Sequence, residues 1–286
     1  MIPVTLKGYA MSGKLFVVGT PIGNLGDISP RALETLEKCD FIAAEDTRVT
    51  LKLLNHFEIK KPMISYFEHN RRAKGEIIVD RILSGESCAL VTDAGMPAVS
   101  DPGEDLVALC HENGITVCAV PGPSAFVAAI ALSGLSVGRF CFEGFLSMNK
   151  QSRREHLEGL VNEKRTMVFY EAPHKLAATL KDFYSYFGER KLVIVREITK
   201  IHEEVIHTTL SEASERYAEN PLKGEIVLVL EGKQEEESEG YTLSQAVEMA
   251  KELMEKEDMS ASFAAKSAAK ETGLKKGDIY KALLEV

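Results

Sequence analysis

Between residues 14 and 133 the chain repeatedly alternates short, β-branched apolar runs with longer stretches carrying helical signals. The apolar runs are KLFVVG from Lys14, DFIAA from Asp40, PMISYF from Pro62, SCALVT from Ser87 and ITVCAV from Ile115. Between them lie SPRALETLEKC, opened by a Ser cap and Pro30, then TRVTLKLLNHF, RAKGEIIVDRIL and GEDLVALCHENG, which ends on a capping glycine. Consecutive strands joined through helices pair in parallel, so this pattern predicts an α/β fold built on a parallel sheet.

The second half starts the same way and then changes. RFCFEGF from Arg139, RTMVFYE from Arg165, KLVIVREI from Lys191, EEVIHTTL from Glu203 and GEIVLVLEG from Gly224 read as strands, with helices near 151–162, 174–186 and 211–217. This predicts a second α/β domain with a mixed sheet. Residues 233–240, with four Glu beside Ser and Gly, cannot bury apolar surface and read as a linker. The segment beyond this linker is helical: TLSQAVEMAKELMEKE opens on a capping box of Thr242 or Ser244 with later acids, and the remainder is helix, a turn at Gly273, and helix. That arrangement is either a helix-turn-helix module or a helical cap. The expected division is a leader at 1–13, α/β domains at 14–134 and 135–232, the linker, and a helix-turn-helix-like domain at 241–286.

Composition removes several function classes. No unbroken apolar stretch approaches the ~20 residues that span a bilayer, and no charged-then-apolar leader is evident, so a cytosolic, cytoplasmic protein is expected, without membrane association. The five cysteines are scattered without a C-x-x-C pair, which points to free thiols. A net charge of −9 argues against nonspecific coating of nucleic acid. From Arg139 to Lys200, however, 12 Lys plus Arg face 8 Asp plus Glu, leaving room for a local basic face.

Two motifs are decoys. Gly8-x-x-x-x-Gly13-Lys14 approximates a phosphate-binding loop, but Leu15 replaces the Ser or Thr that would hold Mg²⁺, and the motif precedes a strand instead of following one. HEEVIH, from His202 to His207, separates its histidines by five positions, which places them on opposite sides of a strand. No metal site is expected.

Three turns survive. TPIGN follows the first strand, TDAGMPAVSDPG (Thr92 to Gly103) the fourth and PGPSA (Pro121 to Ala125) the fifth. Ligands of open α/β sheets bind at the carboxyl ends of strands, where these turns converge. Gly95 permits close backbone approach, Asp93 can accept from a hydroxyl or amino group, and Ser124 caps a helix while offering its own hydroxyl.

GTPIGNLGDISPRALETL, AAEDTR, VTDAGMPAVSDPG, PGPSA, FCFEGFL and RTMVFYEAPHK occur in this order, and together they resemble the tetrapyrrole methylase superfamily. The branch they are most similar to comprises bacterial enzymes that methylate a cytidine ribose 2′-hydroxyl of 16S ribosomal RNA near the decoding centre. The resemblance implies two α/β domains with S-adenosyl-L-methionine in the cleft between them, a homodimer, and 16S rRNA of the small ribosomal subunit as partner. By position, it implies cofactor contacts at Pro21 of the TPIGN turn, at Asp93, Ala94, Gly95 and Met96, at Ser124 and Ala125, and at Tyr170 and Glu171. Tetrapyrrole-acting relatives end their first turn in Gly-Asp, whereas here it ends Gly23-Asn24, which disfavours a porphyrin-like substrate.

A ribose hydroxyl is a poor nucleophile at neutral pH, so a group that accepts its proton is expected. The candidates are Glu45 and Asp46 in AAEDTR, then His69 in YFEHN, with Asp27 weaker. Glu45 and Asp46 could equally cap the helix that starts near Thr47, with Arg48 as ion-pair partner. Arg48 suits a substrate phosphate, as do Lys150, Arg153, Arg154 and Lys175. Two alternatives remain at this level: methylation of a small tetrapyrrole-like ring, and a noncatalytic regulator whose α/β domains sense a ligand while the C-terminal helices bind nucleic acid.

Overall fold

A computed structural model describes residues 13–101, 103–220, 222–234 and 241–284. The leader up to residue 12, Gly8 of the phosphate-loop decoy and most of the acidic linker lie outside them. The chain separates into two compact units, 1–233 and 234–286.

In the first unit, β1 (Lys14–Val18), β2 (Phe41–Ala44), β3 (Met63–Ser65), β4 (Cys88–Val91) and β5 (Thr116–Val120) form an all-parallel sheet in the order β3-β2-β4-β1-β5. They alternate with α1 (Pro30–Lys38), α2 (Thr47–His56), α3 (Arg71–Leu83) and α4 (Gly103–Glu112). The central strands are apolar on both faces because helices cover both. Leu15, Phe41 and Leu90 face one core with Ile78 and Leu106, while Phe16, Ile42 and Ala89 face another with Leu36 and Leu54. As the sequence implies, Ser29 caps α1 by accepting from the Ala32 amide at 3.1 Å, with Pro30 at the first helical position.

A single helix, α5 (Ala125–Ser133), leads from this sheet to the next. The second sheet contains β6 (Phe140–Phe145), β7 (Thr166–Glu171), β8 (Lys191–Arg196), β9 (Glu204–Thr209) and β10 (Ile226–Leu230), ordered β6-β7-β10-β8-β9. Only β6 and β7 run parallel, so the sheet is mixed, as expected. Helices α6 (Lys150–Leu160), α7 (Leu176–Phe187) and α8 (Leu210–Arg216) accompany the sheet, with α7 and α8 packing residues such as Leu180, Phe183 and Leu210 into a core with Phe169 and Leu228. Its other face is covered by α5: Ala129 and Ile130 pack on Val168, Val193 and Val229, joined by Ile22 from the turn after β1. This shared core ties both sheets into one unit.

The five cysteines are free thiols. Burial pushes Cys39 and Cys110 up to about 11, which makes them poor nucleophiles. His207 lies on β9 and His202 in the turn before it, and among the described residues no cluster of metal-ligating side chains occurs. Among those residues, too, no helix is long and apolar enough to cross a membrane.

The second unit comprises α9 (Leu243–Glu257), α10 (Ala261–Thr272) and α11 (Lys276–Leu284). Its core is made of small residues, Ala246, Ala250, Ala264, Ala265 and Ala268, closed by Ile279, so the helices can approach closely. The capping box at α9 uses Gln245, which receives the Thr242 amide at 2.9 Å, in place of the acid expected from the sequence. Gly273 ends α10 at φ 73°, a left-handed cap that glycine adopts without strain. Lys275 falls just before α11 and Lys276 opens it.

Candidate functional site

All five strands of the first sheet are parallel, so the turns after them leave the same edge. The turn after β1 is locked to the turn after β4 by paired backbone bonds, from the Thr20 amide to the Gly95 carbonyl at 2.9 Å and from the Gly95 amide to the Thr20 carbonyl at 3.1 Å. The Thr20 hydroxyl also donates to the Thr92 carbonyl at 3.2 Å. Gly19 and Gly122 touch backbone to backbone: a Cβ on Gly19 would sit 2.6 Å from Gly122 Cα, and one on Gly122 would sit 2.7 Å from the Gly19 carbonyl oxygen. Glycine at both positions is therefore a packing requirement. Gly23 meets the other half of the unit, lying against Lys200 and the Ile198 carbonyl.

Beyond these turns opens a cavity of about 460 Å³, within the range that takes a cofactor-sized ligand. On the side of the first sheet it is lined by Glu45, Thr92, Asp93, Ala94, Gly95, Met96, Asp101, Ser124 and Ala125, and on the side of the second by Phe145, Tyr170, Glu171, Ile198, Glu225, Ile226 and Val227. Four carboxylates (Glu45, Asp93, Asp101, Glu225) and the Tyr170 phenol are placed along the wall, Glu171 contributes to it with its own carboxylate turned away, and among the described residues no Lys, Arg or His lines it. The cavity is chemically suited to a cationic ligand with apolar parts.

The carboxylates are held differently. Glu45 accepts from the Thr92 hydroxyl at 2.5 Å and from the Asp93 amide at 3.3 Å, which aims it along the cavity wall. Asp93 accepts from the Asp46 amide at 3.1 Å; burial, reinforced by the nearby charge of Glu45, holds its carboxyl above the usual range. Asp101 closes its own loop by accepting from the Ala98 and Gly103 amides, both at 3.0 Å, and burial raises it as well. Glu225 faces Lys200 at 3.1 Å.

Each of the site residues expected from the sequence can be placed. Asp93, Ala94, Gly95, Met96, Ser124, Ala125, Tyr170 and Glu171 all reach the cavity, as does Glu45. Pro21 does not; its neighbour Ile22 does, because the Thr20–Gly95 bridge turns the chain there. His69 does not line it either. It comes after β3, the edge strand, two positions from β4 and so roughly 10 Å to the side, and it packs edge-on against Phe67. Asp46 caps α2: its carboxylate accepts the Arg48 amide at 2.8 Å and grips the Arg48 guanidinium at 2.6 Å. The Arg48 contacts hold Asp46 down to about 2, which makes it a weak base. Asn24 caps a 3-10 turn at Leu25–Asp27 by accepting the Gly26 amide at 3.0 Å, a bond an aspartate could also accept, so here the Asn removes a charge without changing the turn.

Ser124 occupies the N-cap position of α5, yet its side chain makes no capping bond. That place is taken by Tyr170 of β7, whose phenol oxygen accepts from the Phe126 amide at 3.2 Å. Its strand neighbour Glu171 points to the opposite face, as alternation requires, where Thr179 of α7 donates to its carboxylate and the Ala172 amide to it at 2.7 Å. Among the candidate phosphate ligands, Arg48, Lys150 and Arg154 are exposed and Lys175 is half-buried. Arg153 is held inside its own domain by Asp182 at 2.7 Å and Thr179 at 2.9 Å. The sequence reading missed Ile198, from the turn after β8, and Glu225, Ile226 and Val227 at the start of β10, which runs antiparallel to β7 with Ile226 opposite Glu171.

The chain belongs to the tetrapyrrole (corrin/porphyrin) methylases, whose family model matches residues 14–214. Within that family it is similar nearly end to end to proteins named ribosomal RNA small subunit methyltransferase I. The one from Synechocystis sp. is 45% identical over 275 residues, 96% of this chain and 98% of that protein. The one from Escherichia coli O157:H7 is 42% identical over 278 residues, 96% and 95% respectively. Among solved structures, uroporphyrin-III C-methyltransferase from Thermus thermophilus complexed with S-adenyl homocysteine superposes with a TM-score of 0.55 at 16% identity, covering 76% of this chain and 97% of that one. Diphthine synthase gives 0.58 at 17%, covering 76% and 89%. At these identities the structures establish the shared fold.

Proposed function

We propose that this chain is an S-adenosyl-L-methionine-dependent methyltransferase of 16S ribosomal RNA, acting on a cytidine ribose 2′-hydroxyl in the small subunit. What carries the reading is the near end-to-end similarity to ribosomal RNA small subunit methyltransferase I proteins. The cavity supports the cofactor on its own terms, since a sulfonium and an α-ammonium group are cations and the charged side chains among the described lining residues are carboxylates. Asp93, Ala94, Gly95, Met96, Ser124, Ala125 and Tyr170 are the residues that would hold it.

When bound, the cofactor supplies an electrophilic methyl group; the protein contributes alignment and a proton acceptor. Glu45 is the proposed acceptor of the 2′-hydroxyl proton, because it alone of the four sequence candidates (Glu45, Asp46, His69 and Asp27) lines the cavity. Thr92 and the Asp93 amide fix its carboxylate. Asp46 acts as a positioning residue, joining α2 to Asp93 through its amide and presenting Arg48 to solvent. Arg48, Lys150, Arg154 and Lys175 are proposed phosphate contacts.

Exposed apolar side chains on α5 (Val127, Leu132) and on edge strand β6 (Phe140, Phe145) favour a homodimer that covers apolar surface on these elements. Because Phe145 also lines the cavity, the second copy would help close it.

The test is incubation of the protein with labelled S-adenosyl-L-methionine and small subunits from cells lacking this activity, followed by mapping of the modified ribose. One labelled cytidine 2′-O-position in 16S rRNA is expected. Label on a base, or none with active protein, overturns the reading. Because the chain is acidic overall, assembled subunits are expected to be methylated faster than short free RNA.

A further inference from the structure

We propose that the α10–α11 face of the C-terminal unit is an RNA-docking surface, a second attachment point for the ribosomal RNA substrate; this rests on the proposed methylation of ribosomal RNA. The charges of this unit are segregated by helix. Residues 243–257 of α9 hold four acids and two lysines, whereas residues 261–284 hold five lysines and two acids. On α10, Phe263, Lys266 and Lys270 succeed one another at spacings of three and four and share a face, all of them exposed. Lys276 of α11 donates to the Ser262 hydroxyl at 3.0 Å, which brings its ammonium to the start of the same face, one turn from Lys266.

Two features make this more than a solvated lysine stripe. Lys266, Lys270, Lys275 and Lys276 have no carboxylate partner among the described residues, whereas α9 pairs Lys256 with Glu252 at 2.9 Å. In the α/β unit, Arg71, Arg81, Arg153, Arg165 and Arg196 are each matched to an acid. Unmatched ammonium groups are left for an external anion. Second, Phe263 is 56% exposed and Tyr280 36% exposed, and neither belongs to the alanine-rich core. Aromatic faces beside unpaired cations fit nucleic acid, where bases stack on the ring while ammonium groups meet phosphates; an acidic protein surface would use the lysines and leave the rings unexplained.

The test uses the full chain and measures affinity for protein-free 16S rRNA and for small subunits across a salt series, alongside steady-state methylation. The triple variant Lys266→Ala/Lys270→Ala/Lys276→Ala is expected to bind rRNA about tenfold more weakly or worse, and to lower the log-log salt slope by roughly two to three. Its KM for the RNA should rise with kcat unchanged. Phe263→Ala is expected to lose at least about fivefold in affinity with an unchanged salt slope, since it removes stacking alone. Lys251→Ala/Lys256→Ala on α9 is the matched control and should leave both quantities unchanged. Wild-type affinity and slope in the triple variant overturn the proposal. So does a loss confined to assembled subunits with rRNA binding intact, which assigns the face to a ribosomal protein. The binding titrations require no catalysis, so absence of methyl transfer by the wild-type protein would sink the functional reading separately.

Discussion

The two banks of the cavity are built by different means. On the first, turns after parallel strands are clamped to one another by the Thr20–Gly95 bridge and the Gly19–Gly122 contact, and they deliver Glu45, Asp93 and Ser124 from positions fixed by local chain chemistry. On the second, the wall consists of strand ends, Tyr170 and Glu171 from β7 with Ile226 and Val227 from β10, delivered by antiparallel register. The first bank carries the acids proposed to do chemistry, while the second supplies apolar surface and a phenol that reaches back across. Substitutions on the first bank should therefore change the reaction, and those on the second should mainly change how firmly the first is held.

The largest effect is expected at Glu45. Replacing it with Gln keeps the volume and a hydrogen bond to Thr92 but removes the proton acceptor, so kcat should fall by roughly 10²- to 10⁴-fold while cofactor affinity changes little. Single-turnover methylation of small subunits, paired with calorimetric titration of the cofactor, separates these quantities. A near-normal single-turnover rate would return the role of base to Asp46 or to solvent.

Next in size is the glycine contact. An Ala at position 122 places its methyl carbon 2.7 Å from the Gly19 carbonyl oxygen, where backbone and not a flexible side chain must yield. Overpacking of this kind costs about 1–3 kcal/mol. The cost should appear as a lowered melting temperature together with weakened cofactor binding, because the two turns that separate also form the wall. Gly138→Ala, with nothing within 4 Å of the added carbon, is the control and should be near neutral.

This contrast also explains what could be read in the sequence. TDAGMPAVSDPG and PGPSA announce themselves through Gly, Pro and small polar residues whose conformational roles are local, so Asp93, Gly95 and Ser124 could be located from the sequence, while Met96 was implied only by the family resemblance. The strand and helix alternation likewise made both sheets legible, because periodicity is a local signal. Ile198 and Ile226 carry no such mark: they look like any core aliphatics, and only strand order places them on a cavity wall. His69 shows the converse, since a plausible base was set aside by the edge position of β3, which no local pattern encodes. Asp46 and Glu45, adjacent and chemically alike, are separated by their partners, Arg48 taking Asp46 while Thr92 and the Asp93 amide hold Glu45 at the cavity wall.

A third, smaller effect tests the electrostatics of the first bank. Burial and the neighbouring Glu45 hold the Asp93 carboxyl above its usual range. A cationic ligand favours the ionised form, so binding releases a proton: affinity is full above this raised value and is lost as the pH falls through it. Asp46, held near 2, stays ionised throughout and cannot supply that dependence. Asp93→Asn is expected to weaken cofactor binding about tenfold at neutral pH and to flatten the acid limb, read by titration calorimetry at several pH values. An unchanged acid limb would move the titrating group elsewhere.

The smallest effect probes the link between the banks. Tyr170→Phe removes the acceptor that the Phe126 amide donates to at 3.2 Å, a bond between neutral groups worth about 0.5–1.5 kcal/mol. The net loss should fall at the low end, because the Ser124 hydroxyl stands at the N-cap position without a capping bond and can rotate to take over. That substitution would withdraw the hydroxyl from the cavity, so cofactor affinity should drop a few-fold while the melting temperature barely moves. Ser124→Ala alone removes a cavity hydroxyl and leaves the helix capped by Tyr170. The double variant leaves α5 with neither, so its loss of stability should exceed the sum of the single losses. Strict additivity would mean that Tyr170 is merely wall, and that the second bank does not hold the first in place.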